Sequence, residues 1–143
     1  MSEQTKPYDK PLPTLTGLHG EFYAWCRDRE LRFQRCTGCG RYRHVPRDIC
    51  AHCSSMEWEW ARSGGRGTVF TWTEVVRALH PAFADATPYA PVVVEMEEGV
   101  RLLSKVVDCA PEELHIGMAV EVEFQQIGDA LTLPVFRRAR RVQ

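Results

Sequence analysis

The stretch Cys36-Thr37-Gly38-Cys39, followed after a loop of ten residues by Cys50-Ala51-His52-Cys53, decides how the rest of the chain is read. Two Cys-x-x-Cys pairs at that separation bring four thiolates together, which is the donor set of a tetrahedral Zn²⁺ site. Gly38, Gly40 and Ala51 let each knuckle bend tightly enough to turn backbone N–H groups toward the sulfurs. Structural zinc held by Cys36, Cys39, Cys50 and Cys53 is therefore the expectation, with iron as the alternative metal and His44 and His52 as spare ligand types. A disulfide framework is disfavoured, because a 143-residue chain with 44% hydrophobic residues needs no covalent staple and its N-terminus carries no export segment. A redox Cys-x-x-Cys comes singly and beside a βαβ pattern, which this sequence lacks.

Working outward, the composition is that of an ordinary soluble protein: 26% charged residues and a formal net charge of −1. No window approaches the apolar run that crosses a bilayer, so a cytoplasmic location is expected. Six cysteines then belong in a reducing compartment, with Cys26 and Cys109 read as buried small hydrophobes.

Three segments are expected: an extended N-terminal arm over residues 1–16, a helix plus metal ribbon over 17–63, and a barrel over 64–143. Pro7, Pro11 and Pro13 oppose a helix in the arm, while Tyr8, Leu12 and Leu15 suit either a frayed tail or a strap across a partner. Leu18, Phe22, Trp25 and Cys26 recur at helical spacing over residues 17–29, with Thr16 as cap and Arg27 and Arg29 at the C-terminal end of the dipole. Leu31 and Phe33 alternate with Arg32 and Gln34 as a strand into the first knuckle. Residues 42–45 lead away from that knuckle, and Trp58 and Trp60 mark a further strand with one aromatic face.

Gly64, Gly65 and Gly67 end the ribbon, and five strands follow, over residues 68–77, 91–97, 100–107, 118–124 and 131–136. A single helical turn at Pro111 separates the third from the fourth. That order predicts a mainly β protein ending in a five-stranded OB-fold barrel. Between the first two barrel strands, residues 78–90 form a loop unusually rich in apolar side chains, with Leu79, Pro81, Phe83, Pro88 and Tyr89. Two prolines stiffen it, which suits a loop presented to a ligand or partner.

At this point a family resemblance enters. The first knuckle, residues 36–40, resembles rubredoxin, and longer strings extend the likeness: Leu31-Arg32-Phe33-Gln34-Arg35-Cys36, Gly65-Arg66-Gly67-Thr68-Val69-Phe70-Thr71-Trp72, Arg101-Leu102-Leu103-Ser104, Ile116-Gly117-Met118 and Leu133-Pro134-Val135-Phe136-Arg137. In this order they resemble the zinc-ribbon/OB-fold family long catalogued as a domain of unknown function. The resemblance implies a small accessory subunit of acyl-CoA chemistry that accompanies a thiolase-fold partner. Examples are acetoacetyl-CoA thiolase assemblies, steroid side-chain aldolases and benzoylsuccinyl-CoA thiolase. Catalytic cysteine and histidine would then belong to the partner, with this chain as a separate subunit in a hetero-oligomer that closes or shapes the acyl-CoA site.

The residues agree with that division of labour. Cys26 lies near His19 and Cys109 near His115, yet neither neighbourhood has the Gly-rich bends of a nucleophile site, and no catalytic residue is assigned. Acyl-CoA carries phosphates and an apolar arm, so Arg or Lys near an apolar channel is expected. The candidates for contact with CoA or the partner are Arg35, Arg41, Arg43 and Arg47 around the ribbon, Arg137 and Arg138 after the last strand, and His80. Phe83 and Tyr89 are the candidates for the acyl group. Two rivals remain: an OB-fold single-stranded nucleic-acid binder using Arg137, Arg138, Arg140 and Arg141, and a rubredoxin-like electron carrier. Glu95, Glu97, Glu98, Glu121 and Glu123 on the barrel strands oppose the first.

Overall fold

A computed structural model describes residues 8–140. The first seven residues of the expected arm, Pro7 included, and the last three of the chain, Arg141 included, lie outside the described residues. Helix α1 spans Gly17–Arg27 and buries Phe22 and Cys26. It stops two residues short of the expected end, because Arg29 takes a left-handed conformation (φ 62°) and its N–H and that of Asp28 close on Cys26 and Trp25. Thr16 occupies the N-cap position without a side-chain cap bond, a correction to its expected role. Burial pushes the Cys26 thiol up to about 12, so it packs as an uncharged small hydrophobe. Cys109 departs from expectation, being only half-buried.

Three short strands, β1 (Arg32–Cys36), β2 (Tyr42–Arg43) and β3 (Trp58–Arg62), form an antiparallel ribbon in the order β2-β1-β3. β1 buries three of its five residues, Phe33, Gln34 and Cys36, where alternation had put Gln34 at the surface. Gln34 is instead an internal fastener. Its Oε1 accepts from the backbone N–H of Arg47 (2.7 Å) and from Arg43 Nε (3.0 Å), and its Nε2 donates to the Arg47 carbonyl (2.9 Å). All three bonds reach across to the loop between the knuckles.

The barrel comprises β4 (Arg66–Trp72), β5 (Val92–Met96), β6 (Arg101–Ser104), β7 (Ala119–Ile127) and β8 (Leu131–Arg138), hydrogen-bonded in the order β6-β5-β4-β7-β8. Closure comes from the segment after β6. The Phe136 N–H donates to Lys105, the Val107 N–H donates to Phe136, and Val106 lies parallel to Phe136. A curled five-stranded sheet closed by a parallel contact between its third and fifth strands, with one 3₁₀ turn at Pro111–Glu113, is the OB topology. β4 ends at Trp72, earlier than expected, and Val75 rejoins the sheet only by pairing with Tyr89. Gly67 is required on β4, since a Cβ there would come within 2.5 Å of the Glu95 carbonyl on β5.

Ribbon, helix and barrel share one hydrophobic core. Phe22 and Cys26 of α1, Leu31 and Phe33 of the ribbon, and Val69, Val92, Val94, Val120 and Phe136 of the barrel belong to a single buried cluster. The ribbon therefore draws its apolar contacts from the barrel as well as from any metal it holds.

Candidate functional site

The two knuckles are built alike. In each, the N–H of the first cysteine donates to a carbonyl five residues on (Arg41, 2.8 Å; Ser55, 2.9 Å). Its carbonyl in turn accepts from the residue after the second cysteine (Gly40, 2.8 Å; Ser54, 2.9 Å). Both Gly40 and Ser54 are left-handed, at φ 80° and 64°. The result brings Cys36 Sγ to 3.5 Å from Cys53 Sγ and Cys39 Sγ to 3.7 Å from Cys50 Sγ, with all four sulfurs within 4.8 Å of one another. Sulfurs at about 2.3 Å from a tetrahedral zinc stand roughly 3.8 Å apart, so the donor set fits that ion. Backbone N–H groups, of Cys53 and then His52, lower the Cys50 thiol to about 6, and the Cys39 N–H lowers Cys36 first among several groups. Against the lowering by the Ser55 backbone, the bond with Cys36 and burial raise the Cys53 thiol to about 11, so the fold favours the thiolate, the form that binds metal, at Cys36 and Cys50 rather than at all four. His52 is exposed, and His44 turns away into the cleft described next.

A cavity of about 870 Å³ opens between the arm, α1, the ribbon loop, the 78–90 loop and the edge of the barrel at β6. His19, Phe22 and Tyr23 come from α1, His44 and Val45 from the ribbon loop, and Phe83 and Tyr89 from the long loop. Leu103 on β6 and Leu133 on β8 line the barrel side, and the half-buried Cys109 sits in the wall. Its charged groups are Lys10, Arg101 and Lys105, and among the described residues none of the lining side chains is acidic. Lys10 and Arg101 each have an exposed carboxylate outside the lining, Asp85 at 3.9 Å and Glu95 at 3.3 Å. His44 lies between the rings of Phe22 (4.9 Å) and Phe33 (5.3 Å). Burial there, with His19 adding to it, lowers its pKa to about 4, so it is neutral at physiological pH.

Of the residues expected from the sequence to contact CoA, the acyl group or a partner, Phe83 and Tyr89 fall in this cavity, stacked with ring centroids 5.7 Å apart. The others do not gather there. His80 accepts the Ala82 N–H on Nδ1 (3.1 Å) and caps the 3₁₀ turn Pro81–Phe83. Arg43 is committed to Gln34 and to the Arg47 carbonyl (Nη2, 2.8 Å). Arg137 pairs with Glu121 at 2.7 Å, and Arg138 pairs with Glu113. Arg35 and Arg41 are exposed, Arg35 lying 5.8 Å from the Tyr42 ring. Arg43 and Arg47 line a smaller cleft of about 430 Å³ on the ribbon side, which also includes Arg101. The cations of the large cavity were missed because they come from an arm and an edge strand. Arg101 and Lys105 do carry a signal, flanking the alternating pair Leu102 and Leu103 just past a tight turn at Gly99.

A rubredoxin-like ribbon joined to an OB-fold barrel, with four converging sulfurs, defines a small class of two-part proteins. Residues 26–59 match the family model described as "ChsH2, rubredoxin-like zinc ribbon domain", and residues 60–125 match "ChsH2, C-terminal OB-fold domain". A "DUF35 domain-containing scaffold protein" of Methanothermobacter thermautotrophicus is 33% identical, over 68% of this chain and 73% of that protein. A "Probable enoyl-CoA hydratase alpha subunit" of Thermomonospora curvata is 36% identical over 96% of this chain but only 44% of its own length, so the chain spans under half of that relative. Among solved structures, one described as "Ltp2-ChsH2(DUF35) aldolase" superimposes with a TM-score of 0.80 at 35% identity, covering 89% of this chain and 98% of that one. The chain belongs to the DUF35 family, with its ChsH2-type zinc ribbon and OB-fold. Among the described residues no helix is long and apolar enough to cross a membrane.

Proposed function

We propose that this chain is a non-catalytic accessory subunit that seats against a thiolase-fold partner and helps form its acyl-CoA site for making or cleaving a C–C bond. The observation that carries the reading is the large cavity with apolar walls, three cationic side chains and no acidic lining among the described residues. That is the chemistry of a site for an amphipathic anion, and an acyl thioester with its nucleotide phosphates is one. Phe83 and Tyr89 then contact the acyl chain. The exposed Val76 and Leu79, 73% and 91% accessible, sit on the strand-to-loop segment that a partner would cover. Arg35, Arg41 and Arg47 keep exposed side chains for the partner or for phosphates. The solved relative described as an aldolase supports the assignment, and the scaffold names of archaeal relatives agree with an accessory role.

Zinc in this scheme is structural. The four thiolates that would hold it close the coordination sphere, which leaves no position for substrate. The nucleic-acid rival is weakened by the pairing of the basic C-terminal strand with its own acids, Arg137 with Glu121 and Arg138 with Glu113. The test is co-expression with a thiolase-like protein encoded nearby, scoring co-purification and CoA-dependent turnover. Association with acyl-CoA turnover only in the assembly is expected; turnover of a thioester by this chain alone, or association solely with a hydratase, overturns the proposal.

A further inference from the structure

The smaller cleft on the ribbon side, of about 430 Å³, adjoins the large cavity, because His44, Val45 and Arg101 line both. That shared rim is open to solvent. Val45 is 46% exposed and the Arg101 side chain 56%, so a ligand laid across the rim reaches both hollows. Their chemistry differs. The large cavity is walled mostly by apolar side chains, whereas the cleft is lined by Arg43, Arg47 and Arg101 against one acid, Glu95. Glu95 is paired with Arg101 at 3.3 Å, which leaves the cleft an excess of positive charge.

Arg47 is placed there by its backbone. Gln34, which has no solvent exposure, accepts the Arg47 N–H and donates to the Arg47 carbonyl, and Arg43 donates to the same carbonyl through Nε and Nη2. Among the described residues these are all the hydrogen bonds of Arg47. Its exposed side chain makes neither a hydrogen bond nor an ion pair. A guanidinium on a fixed stem, with its donors unused, suits an anion brought from outside the chain. Arg101 is steadied at the rim by the Phe70 ring, 3.8 Å from its guanidinium carbon. The acyl chain and the phosphates of a CoA thioester lie at opposite ends of the pantetheine arm, so the two ends rest in different places.

We propose that the ribbon-side cleft is the phosphate subsite of the same ligand. Arg47 and Arg101 bond the nucleotide phosphates, the pantetheine arm crosses the rim at Val45, and the acyl chain lies in the large cavity. The proposal rests on the reading of that cavity as an acyl site and adds the place and the residues for the anionic end. Taking one exposed guanidinium from a phosphate costs roughly three- to tenfold in affinity, between the effect of a surface ion pair and that of a charge-assisted hydrogen bond.

In the experiment the zinc-loaded full chain binds N-phenyl-1-naphthylamine, an uncharged apolar dye, which is then displaced by octanoyl-CoA or by S-octanoyl-pantetheine. The second competitor has the same acyl chain and arm but lacks the nucleotide and its phosphates. Arg47→Gln is compared with Arg66→Gln, a change of the same charge at an exposed position of β4 that lines neither hollow. Arg47→Gln keeps the backbone bonds of the loop, and circular dichroism and zinc content check its fold. Octanoyl-CoA is expected to bind more tightly than the pantetheine thioester. Arg47→Gln weakens octanoyl-CoA about three- to tenfold and leaves the pantetheine thioester unchanged, while Arg66→Gln shifts either by less than about twofold. Octanoyl-CoA no tighter than the pantetheine thioester, no change on Arg47→Gln, or an equal loss on Arg66→Gln overturns the phosphate subsite and leaves the acyl site standing. If the dye does not bind, or neither thioester displaces it, the acyl site falls and the subsite with it.

Discussion

Replacing Gln34 by Leu tests the packing of the ribbon against the cavity wall. Leucine keeps the approximate volume at a position with no solvent exposure but removes all three bonds that Gln34 makes to the loop between the knuckles. The Arg47 carbonyl retains Arg43 as a donor, through Nε at 3.2 Å and Nη2 at 2.8 Å, so its loss is partial. The Arg47 N–H and one charge-assisted bond from Arg43 are lost outright. An unsatisfied buried donor costs about 1–3 kcal/mol, and a bond to a charged group contributes about 1.5–3 kcal/mol, partly offset by the apolar fit of leucine. A net loss of about 3 kcal/mol follows, which for a chain of this size lowers Tm by roughly 10 °C. Gln34→Glu supplies the control: its carboxylate keeps the acceptor role toward Arg43 and the Arg47 N–H but faces the Arg47 carbonyl with an oxygen. It is expected to fall between wild type and Leu. Thermal and urea unfolding of the zinc-loaded proteins measure both. A Gln34→Leu midpoint within a degree of wild type would refute the reasoning that this side chain fastens the loop.

Two further predictions concern the metal and pH. Cys36→Ser or Cys50→Ser is expected to lower bound zinc, measured by mass spectrometry of the metal, to well below one per chain and to abolish partner co-purification, whereas Cys26→Ser, at a buried cysteine outside the four clustered sulfurs, leaves the zinc in place. For His44 the sign follows from a folded pKa near 4 against an unfolded value of about 6.5. The unfolded chain binds the extra proton, so stability is full above about pH 6.5 and is lost as pH falls toward 4, by about 3 kcal/mol at the limit. His44→Phe removes this share of the slope, and the difference between the two unfolding curves from pH 7 to 5 isolates it from protonation of the metal thiolates. Identical slopes would show that His44 titrates alike in the folded and unfolded chains, and would refute the lowered folded pKa.

What the sequence made legible depended on whether a signal was local. The four sulfurs are specified by spacing alone, since two tight knuckles admit few geometries, and the structure converges them to within 4.8 Å. Strand order in the barrel was equally readable, because β-branched and aromatic runs alternate with Gly turns. Gln34 was not. It follows the alternation of an exposed position, and only the fold of the loop over β1 supplies its three backbone and guanidinium partners. Strand ends were lost for a related reason: Val75 and Val106 look like strand interiors in sequence, yet each makes only an isolated bridge after the sheet curls. The cavity was least legible, being assembled from an arm, a helix, two loops and an edge strand that are distant in sequence. Phe83 and Tyr89 were found because apolar residues in a Pro-stiffened loop are locally anomalous; Lys10 has no such local mark.

The metal site and the cavity are joined by one short stretch of backbone, and this gives the ribbon a purpose beyond its own stability. The ten residues between Cys39 and Cys50 carry His44, Val45 and Pro46, which form the ribbon side of the cavity. Both ends of that loop are cysteines of the metal cluster, and its middle is tied to β1 through Gln34 and Arg47. A ten-residue loop with free ends samples many shapes; fixing its ends and its centre removes most of that freedom before any ligand arrives. The ligand then meets a wall already in place on the ribbon side. Rigidity is concentrated where two thiolate knuckles can supply it, at both ends of the loop that forms this wall.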